Sequence, residues 1–301
     1  MLKYLFSLIL VTCFLGTVAQ EAGDTIHKPV VYPENYTAQL NVVYTKVNGW
    51  EGKMDLYLSS KSNKPTPVII NIHGGGWNHG VKEGQGGFNS FFKAGFAVAN
   101  IEYRLTGQAT APAAIEDTRC ALIYLINNAK SLNIDPDKII FMGASSGGHL
   151  ALMGGLLGND PVFDNNCKHT VKVKIAAIID KYGIADVWDW GYGKNITSKS
   201  ATNWLGDKKM DSVFAASVSP VTYVSRNSPP TLIIHGDADP TVPYQQSEML
   251  YAKFQKAGVK SEFITVSGGL HGKFDKEKND ELNTQIMKFI SEVLQSPQIA
   301  L

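Results

Sequence analysis

A serine between two glycines stands in the middle of the chain, where a short apolar run gives way to a helical pattern. Residues 143–147 read G-x-S-x-G with Ser145 at the centre, and the apolar run 139–142 precedes them. A sharp turn from strand to helix forces unusual backbone angles on its central residue and leaves room only for glycine on either side. The pattern therefore predicts Ser145 as a nucleophile at a helix N-terminus, where the helix dipole favours negative charge. The alternative is a glycine-rich turn in which Ser145 only caps the helix.

A serine hydroxyl is a weak nucleophile until a base accepts its proton, so a histidine is required. Three of the seven histidines lie beyond the elbow segment 143–149, namely His169, His235 and His271. Chains with this elbow place nucleophile, acid and histidine in that order. His271 lies in a glycine-rich loop directly after the last apolar run. We therefore predict His271 as the base, the alternative being a surface histidine without a catalytic role.

The acid that orients this histidine is expected just after a preceding strand. Asp237 and Asp239 both follow the apolar run 231–235, and Asp180 ends an earlier run. Each can hold the ring N–H of His271 and stabilise the imidazolium that forms in the reaction. The spacing alone does not choose among them.

A histidine and three glycines follow the apolar run 68–72. Consecutive glycines permit a backbone turn that presents bare N–H groups to a developing oxyanion. A triple glycine alone is more often a plain turn, but its place after one strand, with the serine elbow after a later one, makes the pattern specific. We predict an oxyanion hole formed by the amides of Gly75, Gly76 and Ser146. His73 is expected to brace this loop rather than to act as a second base.

Strand-like and helix-like segments alternate along most of the chain. Alternation of this kind predicts an α/β fold with a mostly parallel, doubly wound sheet, in which the early strands are antiparallel. The strand-like runs are 39–47, 54–58, 68–72, 96–101, 138–142, 174–180, 231–235 and 262–266, and the helical patterns are 113–133, 146–157, 244–257 and 280–294.

Residues 181–228 interrupt this alternation. A connection of that length is too long for an ordinary loop, and ligands bind at the carboxyl ends of parallel strands, so we predict an inserted cap over that edge. Three of the five tryptophans lie in the cap, and Trp77 adjoins the glycine loop. Indole rings in a cleft stack on sugar faces or on a phenolic acyl group, although a small core of the cap is the alternative. The predicted substrate-binding residues are Trp77, Trp188, Trp190 and Tyr192.

Composition excludes several classes of protein. The 301 residues are 44% hydrophobic and 18% charged, the balance of a chain that folds around a core. Twenty-eight basic and 27 acidic residues include no basic block, so nucleic acid is not an expected partner. Cys120 and Cys167 have neither a CxxC nor a zinc-type spacing. No metal and no disulfide framework are expected, and whether these two cysteines pair stays open.

Residues 1–19 have the features of a secretory signal peptide. Lys3 precedes the apolar run 5–15, and small residues up to Ala19 offer a cleavage site. A membrane anchor is disfavoured because a spanning helix needs about 20 apolar residues, and a lipoprotein anchored through Cys13 is a further alternative. We expect residues 20–301 to form one secreted or periplasmic domain that does not insert stably into a membrane. Removal of residues 1–19 takes away Lys3 and leaves equal numbers of acidic and basic residues. This balance suits a partner whose surface is neutral or carries charges of both signs.

Five segments together resemble the α/β-hydrolase esterases. They are similar to the bifunctional feruloyl and acetyl xylan esterase-like family, which is related to the hormone-sensitive-lipase type, over residues 39–295. The resemblance implies an eight-stranded sheet, no metal and no cofactor, and it assigns the acid to Asp239. Ser146 replaces a common alanine, Cys120 interrupts a helix, and the cap is the least similar part. The segments are 73–77, 103–105, 135–139, 143–151 and 235–243.

The resemblance implies a secreted serine esterase that acts through an acyl-enzyme. Its expected substrates are acetyl or feruloyl esters on plant cell-wall polysaccharide such as xylan. A general short-chain carboxylesterase or lipase is the alternative. A peptidase of the prolyl-oligopeptidase type is disfavoured because such enzymes carry a propeller domain for which the mature chain has no room. A non-catalytic sugar-binding protein is disfavoured because every position of the triad is filled.

Overall fold

The computed structural model describes residues 27–60, 62–167 and 172–295. The predicted signal peptide and His169 lie outside the described residues.

Within this part of the chain, eight strands form one sheet in the order β1-β2-β4-β3-β5-β6-β7-β8. β1 pairs antiparallel with β2 and β2 antiparallel with β4, and all the other pairs are parallel. The predicted mostly parallel sheet with antiparallel early strands is therefore confirmed. The strands are β1 Tyr36–Val47, β2 Trp50–Ser59, β3 Thr66–Ile72, β4 Ala97–Ile101, β5 Ile134–Ala144, β6 Ile175–Lys181, β7 Thr231–Gly236 and β8 Ser261–Val266.

Helices cover both faces of the sheet. Successive side chains of a strand point to opposite faces, so Ile69 and Ile70 of β3 lie in separate hydrophobic cores. The core around Ile70 includes residues of α2, α4 and α8, whereas the core around Ile69 includes residues of α1 and α9. The helices are α1 Asn89–Lys93, α2 Ala113–Asn127, α3 Ala129–Leu132, α4 Ser146–Leu156, α5 Val187–Tyr192, α6 Lys199–Leu205, α7 Ser212–Ser217, α8 Gln245–Ala257 and α9 Lys276–Gln295.

The helix predicted over 113–133 is divided in two. At the end of α2, the carbonyl oxygen of Tyr124 accepts from both the backbone amide of Asn128 at 3.0 Å and its side-chain amide at 2.8 Å. After the short α3, Asn133 adopts a left-handed conformation with φ 51°. Strand β5 then begins at Ile134, four residues before the predicted start.

The segment between β6 and β7 contains three short helices, α5 to α7, and two 3-10 turns, Gly206–Lys208 and Pro220–Tyr223. Side-chain oxygens cap the N-terminus of each helix, from Asp186, Ser198 and Asp211. We call residues 182–230 the cap segment. The cap segment runs from the carboxyl end of β6 to the amino end of β7, its parallel neighbour. It therefore begins at the edge of the sheet where Ser145 lies.

A disulfide joins Cys120 of α2 to Cys167, with the two Cα atoms 5.4 Å apart. The sequence had left this pairing open. The neighbouring guanidinium of Arg119 holds both carboxylate oxygens of Asp164 at 2.8 Å, so the loop after α4 is fastened to α2 twice. No helix in the described ranges has the length and apolar character needed to cross a membrane.

Candidate active site

Ser145 lies on the tight turn between β5 and α4. Its backbone angles, φ 57° and ψ −125°, lie in a region that side chains other than glycine rarely adopt. A Cβ atom on Gly143 would clash with the carbonyl group of Gly147, and one on Gly147 would clash with the carbonyl oxygen of Ile72. Only glycine therefore allows α4 to start so close to β3 and β5, as the G-x-S-x-G pattern predicts.

The loops after β5, β7 and β8 bring a serine, an aspartate and a histidine together. Nε2 of His271 lies 2.9 Å from Oγ of Ser145, and Nδ1 of His271 lies 2.6 Å from Oδ2 of Asp239. The other two acid candidates lie elsewhere. Asp237 accepts a hydrogen bond from the amide of Gly268 at 2.6 Å, and Asp180 accepts one from the amide of Gly183 at 3.0 Å. The contact with His271 thus belongs to Asp239.

The surroundings of Asp239 favour its ionised form. Its Oδ1 accepts hydrogen bonds from the backbone amides of Thr241 and Val242 at 2.7 and 3.0 Å. Burial raises the pKa of Asp239, but hydrogen bonds from His235, His271 and the Thr241 amide outweigh burial and hold the pKa well below its ordinary value. A permanently ionised Asp239 keeps the Nδ1 proton of His271 in place and leaves Nε2 free to accept the serine proton.

Sequence reasoning assigned no role to His235, which lies fully buried at the end of β7. Its Nε2 is 3.1 Å from the same Asp239 oxygen that contacts His271, and its Nδ1 is 2.7 Å from Oγ of Ser247. His235 therefore holds the same carboxylate oxygen that orients His271. The signal was present in the sequence, since His235 precedes the aspartate by four residues at the end of an apolar run.

The glycine loop after β3 supplies the predicted oxyanion amides. Gly75 and Gly76 have φ values of +122° and +57°, which only glycine adopts without strain. Their amides donate to no acceptor among the described residues, so they are available to a ligand. A Cβ atom on Gly76 would lie 2.8 Å from Oγ of Ser200 in the cap segment, so glycine is also required by the close approach of the cap. Ser146, the third predicted donor, is the first residue of α4.

His73 braces this loop, as the sequence analysis expects. Its Nδ1 donates to the carbonyl oxygen of Gly74 at 2.8 Å, and its ring stacks on Tyr103 with the centroids 4.3 Å apart. The Tyr103 hydroxyl in turn donates to the carbonyl oxygen of His73 at 3.1 Å. Burial lowers the pKa of His73 to about 4, so the ring is neutral at pH 7.

A cavity of about 370 Å³ opens above Ser145, within the size range of small-molecule sites. The glycine loop, Ser145 and His271 line it, and the cap segment adds Trp190, Ser198 and Ser200. We call it the Ser145 cavity. Tyr182, the first residue of the cap segment, also lines it, with its ring 4.8 Å from the ring of His271. Burial, followed by the negative charges of Asp239 and Asp180, raises the pKa of Tyr182 to about 12, so its hydroxyl is neutral.

The predicted aromatic binding surface differs from the observed one. Trp77 is completely buried and stacks on Trp204 with the centroids 4.3 Å apart, so it has no face open to a ligand and this prediction is wrong. Trp190 is 2% exposed and donates from Nε1 to the carbonyl oxygen of Thr241 at 3.0 Å. Trp188 and Tyr192 pack on each other at 4.5 Å and do not line the Ser145 cavity. The buried rings of Trp77, Trp190 and Trp204 pack together as the core beneath the cap, because burying apolar area stabilises so short a segment.

Asp180 is buried beneath the elbow and does not take part in the triad contacts. Its Oδ2 has no hydrogen-bond partner in the described ranges. Burial raises the pKa of Asp180 to about 7, against the lowering effect of the bond from Gly183. Among the described residues, no group of three or more His, Cys, Asp or Glu side chains is placed to hold a metal ion.

A mostly parallel sheet with Ser145 on a strand-to-helix elbow and His271 after the last strand defines the α/β-hydrolase fold. The BD-FAE family model matches residues 54–254, more than half of the chain. The chain therefore belongs to the BD-FAE family of esterases, and the resemblance seen in its motifs is confirmed.

Solved structures and curated relatives agree with this assignment. A truncated carbohydrate esterase from gut microbiota is 28% identical, with a TM-score of 0.75 over 86% of this chain and 99% of its own. An acetyl ester-xyloside bifunctional hydrolase from Caldicellulosiruptor lactoaceticus is 26% identical, with a TM-score of 0.71 over 82% of this chain and 89% of its own. Esterase LipQ of Mycobacterium tuberculosis is 26% identical over 80% of this chain and 58% of its own length. The chain spans about half the length of the curated relatives it matches.

Proposed function

We propose that this protein is a serine esterase that removes acetyl groups from plant cell-wall polysaccharide such as xylan. The observation that carries the proposal is the continuous contact from Ser145 through His271 to Asp239, at 2.9 and 2.6 Å, beside free glycine amides. This arrangement suits acyl transfer because nucleophile, base and oxyanion donors meet in one cavity.

The reaction proceeds in two steps. His271 accepts the proton of Ser145 as Oγ attacks the ester carbonyl carbon, and the amides of Gly75, Gly76 and Ser146 donate to the oxyanion. The tetrahedral intermediate collapses, the C–O bond to the alcohol breaks, and His271 returns the proton to the departing alkoxide. Water then attacks the acyl-enzyme as His271 accepts one of its protons, His271 returns that proton to Ser145, and the carboxylic acid leaves and ionises in solvent.

The acyl group that we propose is acetyl rather than feruloyl. A feruloyl ring needs an exposed aromatic face or an apolar slot beside the nucleophile. The cap rings that line the Ser145 cavity are Trp190, which is 2% exposed, and Tyr182, which packs against the ring of His271 at 4.8 Å, while Trp77 is fully buried. A small acyl group needs no such surface.

The polysaccharide part of the proposal is supported by the names of two similar structures, a carbohydrate esterase and an acetyl ester-xyloside hydrolase. Secretion is proposed from the leader sequence. The Cys120–Cys167 disulfide supports it, since disulfides form and persist in oxidising compartments outside the cytosol.

The experiment compares acetate release from acetylated xylan with ferulate release from a feruloylated oligosaccharide. Wild type is expected to release acetate much faster than ferulate, and Ser145→Ala is expected to lower kcat by about four orders of magnitude or more. Ser212→Ala, which removes an exposed hydroxyl from the start of α7, is the matched control and should match wild type.

Three results would contradict the proposal in different ways. Ferulate release as fast as acetate release would overturn the choice of acyl group. Acetate release that persists in Ser145→Ala would overturn the assigned nucleophile. Hydrolysis of small aryl acetates without hydrolysis of acetylated xylan would overturn the polysaccharide substrate and would indicate a general short-chain carboxylesterase.

A further inference from the structure

A second cavity, of about 480 Å³, lies on the other side of the glycine loop from the Ser145 cavity. Gly74, Gly75 and Gly76 line the Ser145 cavity, whereas His73 and Gly80 of the same loop line the second one. The start of β2 and the residues after β4 complete its wall. Since β4 and β3 are parallel neighbours, both cavities open at the same edge of the sheet. We call it the Trp50 cavity.

Two ring nitrogens at this cavity have no hydrogen-bond partner in the described part of the chain. His73 is 1% exposed, and because its Nδ1–H is bonded to Gly74, the neutral ring leaves Nε2 as an unused acceptor. The indole Nε1–H of Trp50 is an unused donor. One of these atoms accepts and the other donates, so together they suit a ligand that hydrogen bonds in both directions.

The remaining polar lining fits the same ligand. Oε1 of Glu102 is bonded to the amide of Lys53 at 3.1 Å, which leaves the other carboxylate oxygen free to accept. Glu51 of the lining is paired with Lys46 at 2.6 Å and with Lys53 at 3.7 Å, so the charges at the cavity largely cancel and favour neither an anion nor a cation. Hydroxyl groups both donate and accept and carry no charge, so the lining suits a neutral polyol.

Trp50 supplies a flat surface of fixed orientation. The guanidinium carbon of Arg104 lies 5.7 Å from the centre of its ring, and the ring of Tyr44 meets it edge-on at 6.5 Å. Arg104 is itself held by Asp117 at 2.8 Å and by Glu116 at 3.0 Å. A half-buried indole held by these two neighbours presents its remaining surface at low entropic cost, which suits the C–H face of a sugar ring.

We propose that the Trp50 cavity is a glycan subsite that binds a neutral sugar unit of the substrate chain, remote from the ester that is cleaved. This inference rests on the proposed function, and it adds the glycan contacts of that same site. The two cavities share one loop, so a chain bound in the Trp50 cavity passes over the loop to place an ester at Ser145. Hydrogen bonding to Nε2 of His73 would also steady the loop that carries the oxyanion amides.

The first experiment measures KM and kcat on 4-nitrophenyl acetate and on an acetylated xylo-oligosaccharide for wild type and Trp50→Ala. We expect KM for the oligosaccharide to rise about tenfold with kcat nearly unchanged, because truncating one aromatic anchor costs over 1 kcal/mol of binding. The kinetic constants for 4-nitrophenyl acetate should stay within about twofold. Tyr251→Ala, which removes a half-buried ring of α8 outside both cavities, is the matched control and should change neither substrate's KM.

The second experiment measures binding without catalysis. Unesterified xylo-, cello- and manno-oligosaccharides are titrated calorimetrically into Ser145→Ala and into Ser145→Ala with Trp50→Ala. Binding of one neutral oligosaccharide that weakens about tenfold in the double variant supports the subsite. Equal KM changes on both substrates, no KM change, or no Trp50-dependent binding across the panel would overturn it. If the wild-type protein does not hydrolyse acetylated xylan, the proposed function is overturned instead. The calorimetric titration alone then tests whether the Trp50 cavity binds a sugar.

Discussion

At the scale of single residues, one carboxylate oxygen of Asp239 serves two imidazole rings. His271 reaches it at 2.6 Å and His235 at 3.1 Å, and Ser247 fixes the far side of His235. The aspartate is thus held by a buried partner that never meets the substrate. His235 is a positioning residue, because any effect on the reaction passes through Asp239.

Replacing His235 with leucine removes its contacts with Asp239, with Ser247 and with the carbonyl oxygen of Val242. We expect kcat on an acetate ester to fall about 10- to 100-fold with KM little changed, because small displacements of a catalytic group are costly. His235→Gln, which keeps a side-chain donor, should recover part of this loss. Steady-state kinetics on variants shown by thermal unfolding to be folded checks the prediction, and a kcat for His235→Leu within twofold of wild type would contradict it.

Asp180 should make stability depend on pH. Its pKa is raised to about 7 in the folded protein from an ordinary value near 4, so between these values the folded state binds more protons than the unfolded state. The contribution of this group to stability is therefore complete below about pH 4 and is lost as pH rises through about 7.

Asp180→Asn removes this titration while keeping an acceptor for the Gly183 amide. Relative to wild type, the variant should gain stability between pH 5 and pH 8, at up to about 1.4 kcal/mol per pH unit. Denaturant unfolding at both pH values measures the difference. A pH-independent difference between the two proteins would show that Asp180 does not titrate in this range.

The residues of the triad could be predicted because each follows a strand at one edge of the sheet. The choice among Asp180, Asp237 and Asp239 could not be made from spacing, because loop conformation decides which carboxylate reaches His271. Trp77 shows a second limit. A tryptophan beside a glycine loop has the same sequence pattern whether it faces a ligand or packs under a cap, and burial depends on contacts with Trp204, 127 positions further along.

At the scale of elements, strands and long helices were predictable because their apolar residues repeat with clear periods. The cap segment was predictable only as an insertion. Its helices α5, α6 and α7 are six or seven residues long, which is less than two turns, and such lengths carry little periodicity. Their places are set by packing around Trp190 and Trp204, which a linear pattern does not reveal.

Trp204 connects this cap to the oxyanion loop, since its ring stacks on Trp77, the residue after Gly76. Trp204→Ala should destabilise the protein by about 3 to 5 kcal/mol, the usual cost of deleting a buried aromatic ring. It should also lower kcat, because Trp77 would no longer hold the loop in place. Thermal unfolding and kinetics test both effects, with Trp188→Ala, which loses a half-buried indole of the same cap, as the comparison. Equal effects of the two variants would contradict a special role for Trp204.

At the scale of the whole molecule, the disulfide closes a loop between residues 47 positions apart that contains β5 and α4, and so the elbow. Replacing both Cys120 and Cys167 with alanine should cost up to about 4 kcal/mol, because the unfolded chain regains the entropy of that loop. The Arg119 pairing with Asp164 remains, so kcat should be nearly unchanged. Denaturant unfolding of the double variant, beside wild type with and without reductant, measures the loss. An equal reductant effect on both proteins would show that the bond is absent.

The stacking of Trp77 on Trp204 has a consequence for how this scaffold can be re-engineered. Exchanging the insertion for one without a counterpart of Trp204 would leave Trp77 uncovered, with a large apolar face open to water next to the amides of Gly75 and Gly76. A chimera made by cutting only at the ends of residues 182–230 should therefore aggregate or fold poorly. A chimera that takes both the insertion and the residue equivalent to Trp77 from the same source protein should keep the two rings packed together. Substrate specificity could then be varied without loss of folded protein.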